Sequence, residues 1–155
     1  MDTIERIVTQ HSFFAGMDQA LLHLVVGCAS NMRFDAESYI FKEGDEANAF
    51  YLIREGKVAL EIFAPQRKPI VLDMLEVGDV LGWSWLLPPF HWKFNAHAKT
   101  NLHVIALDGR CLRTKCEENH DLGYELLKRF ALIIERRLEA TRFQLLDVYG
   151  GRKRA

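Results

Sequence analysis

The chain lacks a strong charge of either sign: 20 basic residues meet 21 acidic ones, for a formal net charge of −1. That balance excludes whole-domain attraction to nucleic acid or anionic lipid. It also has no apolar run of about 18 residues, so no membrane span is expected. The start, Met1-Asp2-Thr3-Ile4-Glu5, is acidic and lacks the apolar centre of a signal peptide. Cysteine is scarce: Cys28, Cys111 and Cys116 are too few for a disulfide framework and point to free thiols in a reducing cytoplasm. No Ser-His-Asp, P-loop or dinucleotide fingerprint occurs, so no enzyme activity is expected.

The 155 residues are enough for one domain, and an apolar fraction of 49% is ordinary for a globular chain. The opening is helical, with Ile4, Ile7 and Val8 at helical spacing and a break at residues 12–17. Asp18 is placed to cap a second helix whose buried face carries Leu21, Leu22, Leu24, Val25, Val26 and Cys28. From Asn31 to about Leu107 the apolar period becomes two. Short strands are separated by corners such as Glu43-Gly44-Asp45, Glu55-Gly56-Lys57 and Val77-Gly78-Asp79, which suggests a barrel or jelly roll. After Asp108 the pattern is helical again, with one helix over about 110–118. Asn119 or Asp121 then caps a long helix reaching about Val148. Along it Leu127, Ala131, Ile134, Leu138, Thr141, Leu145 and Val148 alternate steps of four and three, a heptad stripe expected to pair with a second copy. Leu126, Phe130 and Ile133 form another stripe suited to the chain's own barrel. The expected division is 1–30 N-terminal helices, 31–107 barrel, 108–149 C-terminal helices and 150–155 a basic tail after Gly150-Gly151.

All three tryptophans fall within ten residues, in the run Gly82-Trp83-Ser84-Trp85-Leu86-Leu87-Pro88-Pro89-Phe90-His91-Trp92-Lys93-Phe94-Asn95. The segment has the outline of a phosphate-binding loop without its charged side chains. The aromatic residues either fill the barrel mouth or form a ligand pocket or docking face. Histidines His91, His97 and His103 are spaced by six, but lack the closely spaced pair of a metal site. Cys111 and Cys116 lie about 140° apart on a helix, a poor geometry for holding an iron–sulfur cluster with His120. Neither metal nor cofactor is expected.

The order of elements resembles the cyclic nucleotide-binding domain of the catabolite activator protein superfamily. The resemblance is carried by Phe34-Asp35-Ala36-Glu37, Phe41-Lys42-Glu43-Gly44-Asp45, Phe50-Tyr51-Leu52-Ile53-Arg54-Glu55-Gly56-Lys57-Val58 and Gly78-Asp79-Val80-Leu81-Gly82. Phe13-Phe14-Ala15-Gly16-Met17 also fits the family's opening. The resemblance covers about residues 11–149. It implies an α+β fold: an eight-stranded β jelly roll flanked by N-terminal helices and a long C-terminal dimerisation helix. In the family, a glutamate after the second cassette glycine holds the ribose, and an arginine nine residues on pairs with the cyclic phosphate. Those positions carry Trp83 and Trp92, with Lys93 beside the second. A one-residue slip of the loop would bring Lys93 to the arginine's place. Ordinary cAMP or cGMP binding is therefore not expected, because a buried phosphate without a countercharge is costly. The expected ligand is another small molecule, held by Gly82, Trp83, Ser84, Trp85, Trp92, Lys93, Phe94 and Asn95. The alternative is a protein-interaction module with a self-filled aromatic pocket. Family transcription factors carry a helix-turn-helix after the long helix. Only six residues follow Tyr149 here, so no sequence-specific DNA reading by this chain alone is expected.

Overall fold

The computed structural model describes residues 3–66 and 68–153. Helix α1 (Ile4–Gln10) is capped by Thr3, whose hydroxyl accepts from the Arg6 N–H at 3.2 Å. A 3-10 turn over Ser12–Phe14 leads to helix α2 (Gln19–Val26). Asp18 holds the expected N-cap position of α2, but its side chain makes no cap bond. The helix closes at Val26, so Cys28 lies in the turn beyond it rather than on its buried face.

Eight strands follow: β1 (Ala29–Phe34), β2 (Tyr39–Phe41), β3 (Ala49–Glu55), β4 (Val58–Ile62), β5 (Ile70–Leu75), β6 (Val80–Leu81), β7 (Asn95–Ala98) and β8 (Leu102–Asp108). They form two four-stranded sheets, β1-β8-β3-β6 and β2-β7-β4-β5, with every pairing antiparallel. This is the expected jelly roll. Its core is apolar: Leu52, Val58, Leu60, Leu81, Ala96, Val104 and Ile105 are buried, and the consecutive Val104 and Ile105 show that both faces of the β3–β8 pair are covered.

Helix α3 (Gly109–Glu118) is capped by Asp108, which accepts from the Cys111 N–H at 3.1 Å. Helix α4 (His120–Lys153) is capped by Asn119, not Asp121: the Asn119 Oδ1 accepts from Asp121 N and Leu122 N. Leu122, Leu126 and Phe130, in steps of four, are fully buried against the barrel. Phe130 meets Phe13, Phe50 and Trp85 with ring centroids 4.9, 5.0 and 5.7 Å away. The helix continues past Gly150 and Gly151 to Lys153, so the expected break at the double glycine does not occur. Arg154 and Ala155 lie outside the described residues.

One cysteine expectation is overturned. Cys28 and Cys111 form a disulfide with Cα atoms 5.8 Å apart, and Cys116 is the one free cysteine. The cause is sheet register. Ala29 pairs with Leu107 across β1 and β8, and the Asp108 N–H donates to the Cys28 carbonyl at 2.9 Å. The residues flanking that pairing are thereby brought together across 83 positions of sequence. Cysteine usage consequently gives no argument for a reducing compartment. No helix among the described residues is long and apolar enough to cross a membrane.

Candidate functional site: an aromatic cassette

The cassette leaves the barrel at Gly82, whose φ of +96° lies in the left-handed region that glycine alone enters easily. A single turn follows, closed by Leu86 N–H donating to the Trp83 carbonyl at 3.1 Å. The returning arm is tied to residues 44–47. Gly44 N–H donates to the Trp92 carbonyl at 2.8 Å, Trp92 N–H to Asp45 O at 2.9 Å, and Ala47 N–H to Phe90 O at 2.7 Å. These bonds fix the register that the sequence leaves open. Trp92 points inward and is 3% exposed, while Lys93 is exposed to solvent.

The Trp92 indole stacks on Phe41, with centroids 3.7 Å apart and planes 6° from parallel. Its far edge lies 2.5 Å from where a Cβ on Gly82 would stand, so the ring rests on the Gly82 backbone. Phe94 is buried against Phe41 and Trp83. The position at which the family resemblance places a phosphate-pairing arginine is thus a ring packed over the cassette glycine.

The other expected site residues spread around this plug. Trp83 is half-buried, with the Arg137 guanidinium of α4 5.4 Å from its ring. Trp85 is fully buried and stacks on Phe50 at 5.2 Å, on the α4 side of the barrel. Ser84 is buried. Asn95 is buried at the start of β7, where its Oδ1 accepts from the Glu43 N–H at 2.8 Å. Gly82, Trp83, Trp92 and Phe94 come together, while Trp85, Lys93 and Asn95 face elsewhere.

Two features of this region are hidden in the sequence. Phe41, 51 positions before Trp92, supplies the other half of the plug. Arg113 spans the cassette and the neighbouring loop: its guanidinium donates to the Trp85 and Ala47 carbonyls and lies 4.4 Å from the Phe90 ring centroid. All three residues of β2 are apolar and its register shifts between Tyr39 and Phe41, so nothing local marks Phe41 as inward or pairs either residue with the cassette.

The histidines do not converge. His97 is on β7 between Glu37 and Glu61, His103 is on β8 bonded to Asn31, and His91 sits at an isolated bridge with Glu46. No cluster of three potential metal ligands exists among the described residues. Cys111 is in the disulfide, and Cys116 and His120 belong to different helices.

Burial holds His11 below the ordinary histidine value of 6.5, opposed by the charge of Asp79. His103 is lowered too, first by burial and then by Arg33 and Arg54, against Glu55. Both shifts keep the folded rings neutral where the unfolded chain takes up protons. Their stabilisation is complete above about pH 6.5 and is lost as pH falls through that value toward the lowered folded pKa. Thermal midpoints are expected to hold level above about pH 7 and to drop below about pH 6.5, with a shallower drop in His11→Gln. An identical acid profile in that variant would remove His11 as a cause.

Residues 31–119, more than half of the chain, match the cyclic nucleotide-binding domain family. A CRP-like cAMP-activated global transcriptional regulator of Mycobacterium tuberculosis is 21% identical over 145 residues, covering 94% of this chain and 63% of the regulator. The chain therefore spans less than two thirds of the length of the curated relatives it matches. A solved structure from Geobacter metallireducens, assigned as a cyclic nucleotide-binding protein, is 28% identical with a TM-score of 0.77. It covers 89% of this chain and 99% of that one. The catabolite activator protein of Thermus thermophilus shares the fold, with a TM-score of 0.70 at 21% identity over 88% of this chain and 62% of its own. With the jelly roll, the glycine-led cassette and the long C-terminal helix in place, the chain belongs to the cyclic nucleotide-binding domain family and is related to CRP-like regulators.

Proposed function

We propose that this chain is a regulatory, non-catalytic module that pairs with a second copy through α4 and whose cassette is filled by its own aromatic side chains. The observation that carries the reading is the Trp92 ring, stacked on Phe41 and resting on Gly82. A cyclic phosphate would have to expel that ring and then lie buried without an arginine, a desolvation cost of several kcal/mol. Titration with cAMP and with cGMP in a calorimeter tests this. No saturable heat is expected up to about 1 mM ligand, and a Kd near about 1 µM for either would overturn the plugged cassette.

Pairing through α4 rests on its outward stripe. Leu127, Leu138, Leu145 and Val148 are each at least half exposed, and Leu132, Phe143 and Leu146 widen the apolar surface. From Leu138 to Val148 every residue is exposed, and the side chain of Gln144 reaches the barrel there, its Nε2 donating to the Leu72 carbonyl at 3.2 Å. Sedimentation of the 17.9 kDa chain is expected to give a dimer. Leu138→Asp with Leu145→Asp should give a monomer, because each forfeits about 1.5–3 kcal/mol of apolar burial and adds an interfacial charge. A wild-type monomer would remove the paired-helix reading.

A further inference from the structure

A second concavity lies outside the aromatic plug. It is a groove of about 670 Å³ between the N-terminal turn, the β5–β6 segment and α4. That volume is within the range of small-molecule sites. Its apolar walls include Phe13, Leu75, Val80, Leu132 and Ile133. The polar groups on it are mostly committed. Arg129 donates to the carbonyls of Phe13 and Ala15 and to Glu125, fastening the N-terminal turn to α4. Lys128 pairs with Glu125, and Arg137 with Asp73 at 3.3 Å. Asp79 accepts from the Glu76 N–H at 2.8 Å.

Three donors are left over. Arg136 makes no hydrogen bond or ion pair among the described residues. The Arg137 Nε is buried without a partner. The His11 Nδ1 accepts from the Phe13 N–H at 3.1 Å, so the proton of the neutral ring sits on Nε2. That Nε2 is also buried without a partner. Burying a donor without a partner is costly, and two beside one groove signal an acceptor that belongs there.

We infer that this groove binds an amphipathic organic anion: an acidic head bonded to Arg136, Arg137 and His11, and an apolar body lying along Phe13, Leu132 and Ile133. The inference goes beyond the plugged cassette and does not depend on it. Such a ligand bridges the N-terminal turn, the barrel and α4, so its binding bears directly on the helix expected to pair.

The test uses 1-anilinonaphthalene-8-sulfonate, an acidic head on an apolar body, followed by its fluorescence on the full chain. Saturable binding of one dye per chain is expected. Arg136→Glu should raise Kd about tenfold or more, and His11→Phe, which keeps the ring but removes the donor, should also raise it. Phe63→Ser, an exposed apolar residue away from the groove, should leave binding as it is. Displacement of the dye by octanoate identifies an alkyl carboxylate as the ligand type, and displacement by AMP an organic phosphate; either supports the site. Displacement by neither overturns it, as does dye binding indifferent to both Arg136→Glu and His11→Phe. Binding indifferent to Arg136→Glu but lost in Trp92→Ala would place the anion in the cassette, overturning both this inference and the plugged reading.

Discussion

Reduction of the Cys28–Cys111 disulfide is expected to lower unfolding stability by about 4–5 kcal/mol at most. The chain-entropy model assigns that size to a bridge closing a loop of this length. The bridge spans 83 positions and encloses every strand, from the start of β1 to the first turn of α3. Without it, the unfolded chain regains all the freedom of the barrel segment. The folded state still holds these ends together through β1–β8 pairing and the bond from Asp108 N–H to Cys28 O. Loss of the bridge is therefore expected to shift the melting temperature rather than the fold. Cys28→Ser and Cys111→Ser should each reproduce the loss, and the double variant should cost no more than either single one. Thiol titration of the unreduced, denatured chain should find one thiol, that of Cys116. In the folded chain, burial and then Glu117 push this thiol up, which slows its reaction. Three thiols in the denatured chain would show that the bond does not form.

The second large effect is expected at Trp92. Trp92→Ala should cost about 3–5 kcal/mol, the usual range for emptying a buried aromatic position. The ring's contacts with Phe41 and Gly82 are lost together, and the arm tied to residues 44–47 limits collapse into the space. A loss below about 1 kcal/mol in urea unfolding would mean that the ring is not part of the core. Trp92→Arg with Trp83→Glu returns both charged groups expected from the family resemblance. That double variant is expected to bind cAMP and the wild type is not, because the phosphate regains a planar two-pronged partner. Gly82→Ala should be poorly tolerated in the wild type, where φ is +96° and the indole occupies the space of the added methyl.

The period of each segment, and with it the helix–barrel–helix order, is legible in the chain. The short apolar runs Phe50-Tyr51-Leu52-Ile53 and Val58-Ala59-Leu60, on either side of Glu55-Gly56-Lys57, read as buried strands. The steps Leu126, Phe130 and Ile133 fit one helix face, and the structure adds Leu122 to it. The sequence also showed that the cassette carries tryptophan where the family resemblance places charge, since that is a matter of residue identity. Whatever depends on which distant residues meet is set by the fold. Register between β1 and β8 makes a disulfide of two cysteines that look unrelated along the chain. Backbone bonds from residues 44–47 settle that Trp92, and not Lys93, turns inward. Phe41 becomes its stacking partner only when β2 pairs with β7. The groove with its three spare donors exists only where the N-terminal turn, the barrel and α4 converge. Periodicity is a local property that each segment carries in its own side chains. Contacts across dozens of residues are chosen by packing and hydrogen-bond register, which no single segment encodes.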